Sequence, residues 1–162
     1  MPKIADIEVT PNPNARKFVL KEPLTGGVTR SFESAEQAQS DPLAAALFAI
    51  PHVTNVFYVD RWLTVTQDGA TDWPALVRAV AEPIRAAPAY TVTTAGAAGA
   101  DVKPVLGSPS DEIRLQSINA LLDEQVRPAL HRDGGDIVVL GLAGNQLRVR
   151  YQGACGTCPT AF

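Results

Sequence analysis

Residues 133–159 read DGGDIVVLGLAGNQLRVRYQGACGTCP, and the fold is decided by how that stretch divides. Asp136–Leu142 is an apolar strand, Ala143-Gly144-Asn145 supplies a turn, and Gln146–Tyr151 is a second strand. In that second strand Leu147, Val149 and Tyr151 share one face while Arg148 and Arg150 take the other. The hairpin runs into Gly153-Ala154-Cys155-Gly156-Thr157-Cys158-Pro159. A Cys-x-x-Cys puts two sulfurs on one side of a tight loop, where both reach one metal ion or two irons of one cluster. Gly153 and Gly156 let the backbone turn and bring amide N–H groups towards sulfur.

Upstream, Ser110 reads as a helix N-cap with Asp111 and Glu112 in the first turn. Leu115, Ile118, Leu122, Val126 and Ala129 form an apolar stripe at helical spacing, and Gly134-Gly135 is a natural stop. Before that helix the composition changes. From Pro88 to Ser110 the chain is mostly Ala, Gly, Pro, Ser and Thr, charged only at Asp101 and Lys103. This reads as a flexible tether (88–110), with a coil span of roughly 25 Å.

The first half, 1–87, reads as mixed α and β. Ile4, Ile7 and Val9 suggest a strand, ended by Thr10-Pro11-Asn12-Pro13-Asn14. Arg16–Leu20 and Val28–Phe32 are further short strands. Asp41 is a good N-cap, Pro42 fits the first helical position, and Leu43, Ala46, Leu47 and Ile50 share a face. Val53–Val59 and Trp62–Thr66 form a hairpin turned near Asp60-Arg61. A helix from about Asp72–Pro74 buries Trp73, Leu76, Val77, Val80 and Ile84, with Pro83 bending or restarting it. The fold class is therefore α+β: two small mixed domains, 1–87 and 111–162, joined by a linker, with no internal repeat.

Composition narrows the function. A net charge of -3 and the lack of any basic cluster argue against nucleic acid. No apolar run approaches the roughly 20 residues that span a bilayer. Met1–Asp6 has neither the basic start and apolar run of a signal peptide nor the look of a transit peptide, so the expected location is cytoplasmic, with reduced thiols. The two cysteines leave several readings open. They suit a cluster site, a zinc site, a thiol–disulfide pair or inert packing. Zinc wants four ligands, and His52 and His131 are not at finger-like spacing. A redox pair normally opens a domain, whereas four residues follow Cys158. A cubane cluster with thiolate at every iron needs four cysteines, so two copies of this chain supply the set that one cannot. His131 reads as a helix C-terminal residue, Asp133 and Asp136 as turn-fixing residues, Arg148 and Arg150 as a solvated strand face, and Trp62 and Trp73 as core anchors or a partner patch.

Arg127–Asp136 followed by Gln152–Pro159 closely resembles the NifU-like C-terminal domain of the Nfu family. Thr10–Phe18, Pro42–Ile50 and Thr71-Asp72-Trp73 resemble that family's N-terminal domain. The resemblance implies a [4Fe–4S] carrier and not an enzyme. It also implies Cys155 and Cys158 as cluster ligands, a homodimer through the cluster, receipt from an assembly scaffold and delivery to client apo-proteins. The first half would recognise partners. Family members continue past the Cys-Pro with a further helix, and this chain ends at Phe162, so the resemblance implies a second domain cut short.

Overall fold

Asp41 organises the first domain. One carboxylate oxygen accepts the backbone N–H groups of Leu43 and Ala44, each at 3.0 Å, starting α2 (Pro42–Phe48). The other accepts the Tyr58 hydroxyl and the Arg30 guanidinium, tying the helix start to two strands. The computed structural model describes residues 1–88, 104–106 and 108–158. In its first half, β1 (Ile4–Val9), β2 (Ala15–Leu20), β3 (Arg30–Phe32), β4 (Val53–Val59) and β5 (Trp62–Gln67) form one antiparallel sheet in the order β1-β2-β5-β4-β3. The expected third strand from Val28 begins only at Arg30. Asp60 turns the β4–β5 hairpin with φ of 49°, a left-handed conformation that Asp tolerates better than most residues.

One face of this sheet is the core. Phe18, Val56, Tyr58, Leu63 and Val65 pack there against α2 and α3 (Trp73–Ala86). Leu76, Val80 and Ile84 of α3 are buried, with Trp73 and Val77 partly so. Pro83 sits inside α3, which runs unbroken to Ala86; lying in the last turn, it removes only one backbone bond. The opposite face is also covered. Phe57, Thr64 and Thr66 alternate with the core residues and are 0–2% exposed. An antiparallel sheet with that face in water would expose them.

The second half covers it. A three-stranded sheet, β6-β7-β8, is formed by β6 (Val105–Leu106), β7 (Gly135–Ala143) and β8 (Gln146–Gly153). It carries α4 (Pro109–Leu121) and α5 (Arg127–Arg132), joined by a π turn at Leu122–Val126. The short helix α1 (Ala35–Ala38) completes the elements described. Of the expected tether, residues 89–103 lie outside the described residues. At its end Val105 and Leu106 pair parallel to Gly141 and Leu142, and α4 starts at Pro109 behind Ser108 instead of at Ser110. Pro109 explains the shift, because its fixed φ suits the first helical position. Leu115 and Leu122 are buried with Val139 and Leu142, and Ile118 and Val126 pack against them. Ala129, expected on the same stripe, is exposed. The π turn inserts an extra residue per turn and so rotates α5 relative to the stripe on α4.

Candidate functional site

Cys155 and Cys158 lie in the loop after β8, and that loop is built against the Asp-Gly-Gly-Asp turn. β7 and β8 pair from Gly135↔Gly153 outward, so the turn and the loop leave the hairpin at the same end. Gly134 has φ of 77°, and its carbonyl accepts the Ala154 N–H at 3.1 Å. A side chain at Gly135 would place Cβ 2.5 Å from Cys155 Sγ and 2.8 Å from the Gln152 carbonyl oxygen. The two separated glycine motifs are thus halves of one contact. This is the physical reason for their pairing across some twenty positions.

The cysteines are not joined in a disulfide; Cys155 is half-buried and Cys158 buried. They open into a pocket of about 270 Å³ that also has Tyr151, Asp133, Pro11 and Asn12 on its walls. The Cys155 thiol is pushed up to about 11, first by burial, then by the Asp133 carboxylate, with Cys158 and Asp136 adding to it. The thiol form is therefore favoured at neutral pH. Raised above its ordinary value, the group stabilises the fold fully below pH 9 and loses that contribution as pH rises through about 11. Reaction of Cys155 with iodoacetamide, followed site by site by mass spectrometry, should climb roughly tenfold per pH unit from pH 8 to pH 10. A plateau below pH 9 would contradict this environment.

Asp136 is buried, and its Oδ1 accepts the Ile137 N–H at 2.8 Å. Expected to fix the Gly134-Gly135 turn, it bonds to the N–H of the next residue along β7. The same oxygen lies 3.6 Å from Arg127 Nε and 3.4 Å from His131 Nε2. His131 thus sits against a carboxylate and, at 5.5 Å between ring centres, against Trp62 of the first domain. Arg150 is exposed and pairs with Glu33, also of the first domain. Trp62 lies between the domains, and the Trp73 indole donates to the Pro13 carbonyl at 3.1 Å. Among the described residues no group of three or more His, Cys, Asp or Glu side chains is arranged to hold a metal ion.

Sequence reasoning did not find Asn12. It is 1% exposed, and its side-chain amide donates to the Ala154 carbonyl at 3.1 Å and the Thr157 hydroxyl at 3.2 Å. Its Oδ1 accepts the Asn14 N–H, so the Asn12–Asn14 turn is braced as it reaches the cysteine loop. Thr64 adds a bond from its hydroxyl to the Gly134 carbonyl at 2.8 Å. Only the Pro/Asn-rich turn itself signalled a special conformation here; nothing in the sequence pointed it at the loop.

The family profile described as "Scaffold protein Nfu/NifU N terminal" matches residues 4–89. The chain belongs to the Nfu/NifU scaffold family. A second profile, "NifU-like domain", matches residues 118–161 of this Nfu/NifU chain. The human protein named "NFU1 iron-sulfur cluster scaffold homolog, mitochondrial" is 32% identical over 157 residues, covering 94% of this chain and 60% of that protein. The protein of the same name from Drosophila sechellia is 30% identical, covering 94% and 54%. The chain thus spans about three-fifths or less of the length of these curated relatives. A solution structure of a NifU-like protein from Saccharomyces cerevisiae is 21% identical, with a TM-score of 0.43, covering 49% of this chain and 72% of that one.

Proposed function

We propose that this Nfu/NifU protein is an iron–sulfur cluster carrier. Its cargo is a [4Fe–4S] cluster, held by Cys155 and Cys158 from each of two protomers and delivered to apo-proteins. The carrying observation is the thiol pair itself, both cysteines lining one pocket and Cys155 backed by a turn with no room for a side chain. Two sulfurs per chain match half the ligand set of a cubane cluster, and a twofold pair of chains completes it. An assembly scaffold upstream and client apo-proteins downstream are the partners this role requires, in a cytoplasmic setting that keeps the thiols reduced. The role is non-catalytic.

The environment of Cys155 favours this over a thiol–disulfide oxidoreductase. A reactive redox cysteine is held as thiolate near neutral pH by positive surroundings. Cys155 faces carboxylates and burial instead, which keep its proton on. Metal ions displace such protons directly, so loading should strengthen as pH rises towards the thiol's own range. A zinc-bound interaction module remains testable by the same experiment. Anaerobic reconstitution with iron and sulfide should give visible cluster absorption in the parent chain and none in Cys155→Ala. A colourless parent chain that retains zinc, or that turns over a dithiol substrate without metal, would sink the carrier reading.

A further inference from the structure

The first domain meets the cysteine loop through its own buried surface. The outer face of the five-stranded sheet, with Phe57, Thr64 and Thr66 fully covered, is occupied by β8 and the loop after it. Space is tight there: a Cβ at Gly153 would stand 3.0 Å from the Phe57 ring. The Asn12 amide bonds to both sides of Cys155, at Ala154 and Thr157, and Thr157 also reaches Thr66 at 3.5 Å. Pro11 and Asn12 wall the pocket that holds both thiols, and Cys158 is only 8% exposed.

Sharing a cluster between two chains asks for something different. Each sulfur must be bare on the side where iron arrives, and a second loop carrying two more sulfurs must come close to the first. The present arrangement covers Cys158 and fills one side of the approach with another domain of the same chain. We propose that the first domain is a gate over the thiol pair, latched by Asn12, that swings away before a second chain's loop can complete the site. This rests on the carrier reading for its purpose, though the gate itself is a property of the metal-free chain.

Polar latches suit such a role. Around the Phe57 and Trp62 rings the contact face carries hydroxyls and amides, with the Arg150–Glu33 pair exposed at its edge. Exposed pairs of that kind contribute little, and interfaces of this character between domains of one chain open readily. The latch is also local, since Asn12 Nδ2 makes both of the loop contacts from one atom.

The test reads Cys158 alone, in the metal-free full chain. Asn12→Asp keeps the oxygen that braces the Asn14 N–H and replaces the donor facing Ala154 with an acceptor. An unmatched buried acceptor favours the open state by enough for an increase in Cys158 alkylation of about tenfold or more. Thr157→Val, at an exposed side chain on the loop, removes the other half of the latch and should give a smaller rise, about threefold. Circular dichroism confines the comparison to folded chains, and Thr157→Val carries the test if Asn12→Asp does not fold. Cys158 reacting at the parent rate in the folded variants would overturn the gate. So would a parent rate equal to that in urea. Neither result touches the reconstitution experiment, and a failed reconstitution leaves the gate measurement standing.

Discussion

Gly135→Ala should strip the chain of cluster binding while leaving the first domain folded. The new Cβ would lie 2.5 Å from Cys155 Sγ, and the loop cannot simply rotate that sulfur away. The Cys155 Cβ and the Gln152 backbone oxygen, both at 2.8 Å, close the other directions. Gln152 is fixed in the β7–β8 ladder opposite Asp136. Overpacking against backbone costs about 1–3 kcal/mol, and falling on the sulfur geometry that cost is a roughly 5–150-fold loss of cluster retention. Gly144→Ala is the matched control. Unlike Gly135, that position carries a positive φ, 57°, so it adds backbone strain, but a Cβ there meets nothing within 4 Å. It should cost about 1 kcal/mol in stability and leave iron content alone. Iron per chain after anaerobic desalting separates the two; equal iron in both variants would mean the glycine turn does not position the thiols.

Phe57→Ala should have the largest effect on stability, about 3–5 kcal/mol. The ring is fully buried yet belongs to neither hydrophobic core. It stacks on Trp62 at 5.3 Å and faces Gly153, so it lies between the two domains. Its loss should therefore loosen the domain contact as well as lower the urea midpoint, and Cys158 should become alkylated faster. Phe57→Leu keeps most of the buried area and should recover most of both effects. A small change in the midpoint, with Cys158 still protected, would show that the domains do not dock through this face in solution.

Local chemistry made much of this legible in advance. Asp41-Pro42 announces a helix start because a cap and a first-turn proline act within one turn of the chain. The β4–β5 hairpin and the β7–β8 hairpin follow from apolar alternation around short polar turns. The Cys-x-x-Cys stood out because it puts two sulfurs on one side of a tight loop, a spacing that cluster, zinc and redox sites share. What could not be read depends on partners distant in sequence. Phe57, Thr64 and Thr66 look like one face of a half-exposed sheet, and only the second domain's position makes them buried. Asn12 looks like turn chemistry, yet its amide is spent 142 residues away on Ala154. The π turn at Leu122–Val126 is invisible to a count of 3.6 residues per turn, and it misdirected the reading of Ala129. Val105-Leu106 is too short and too close to glycine and proline to stand out as a strand; its pairing with Gly141-Leu142 defines it.

A cluster held by the thiol pairs of two chains has a mass and a stoichiometry that can be weighed. Native mass spectrometry of the anaerobically reconstituted protein, beside Cys155→Ala and Cys158→Ala, reads both at once. The expected species is a dimer whose added mass is one four-iron, four-sulfide unit, with both variants monomeric and iron-free. A monomer carrying a complete cluster, or a dimer unchanged by either substitution, would contradict the shared site.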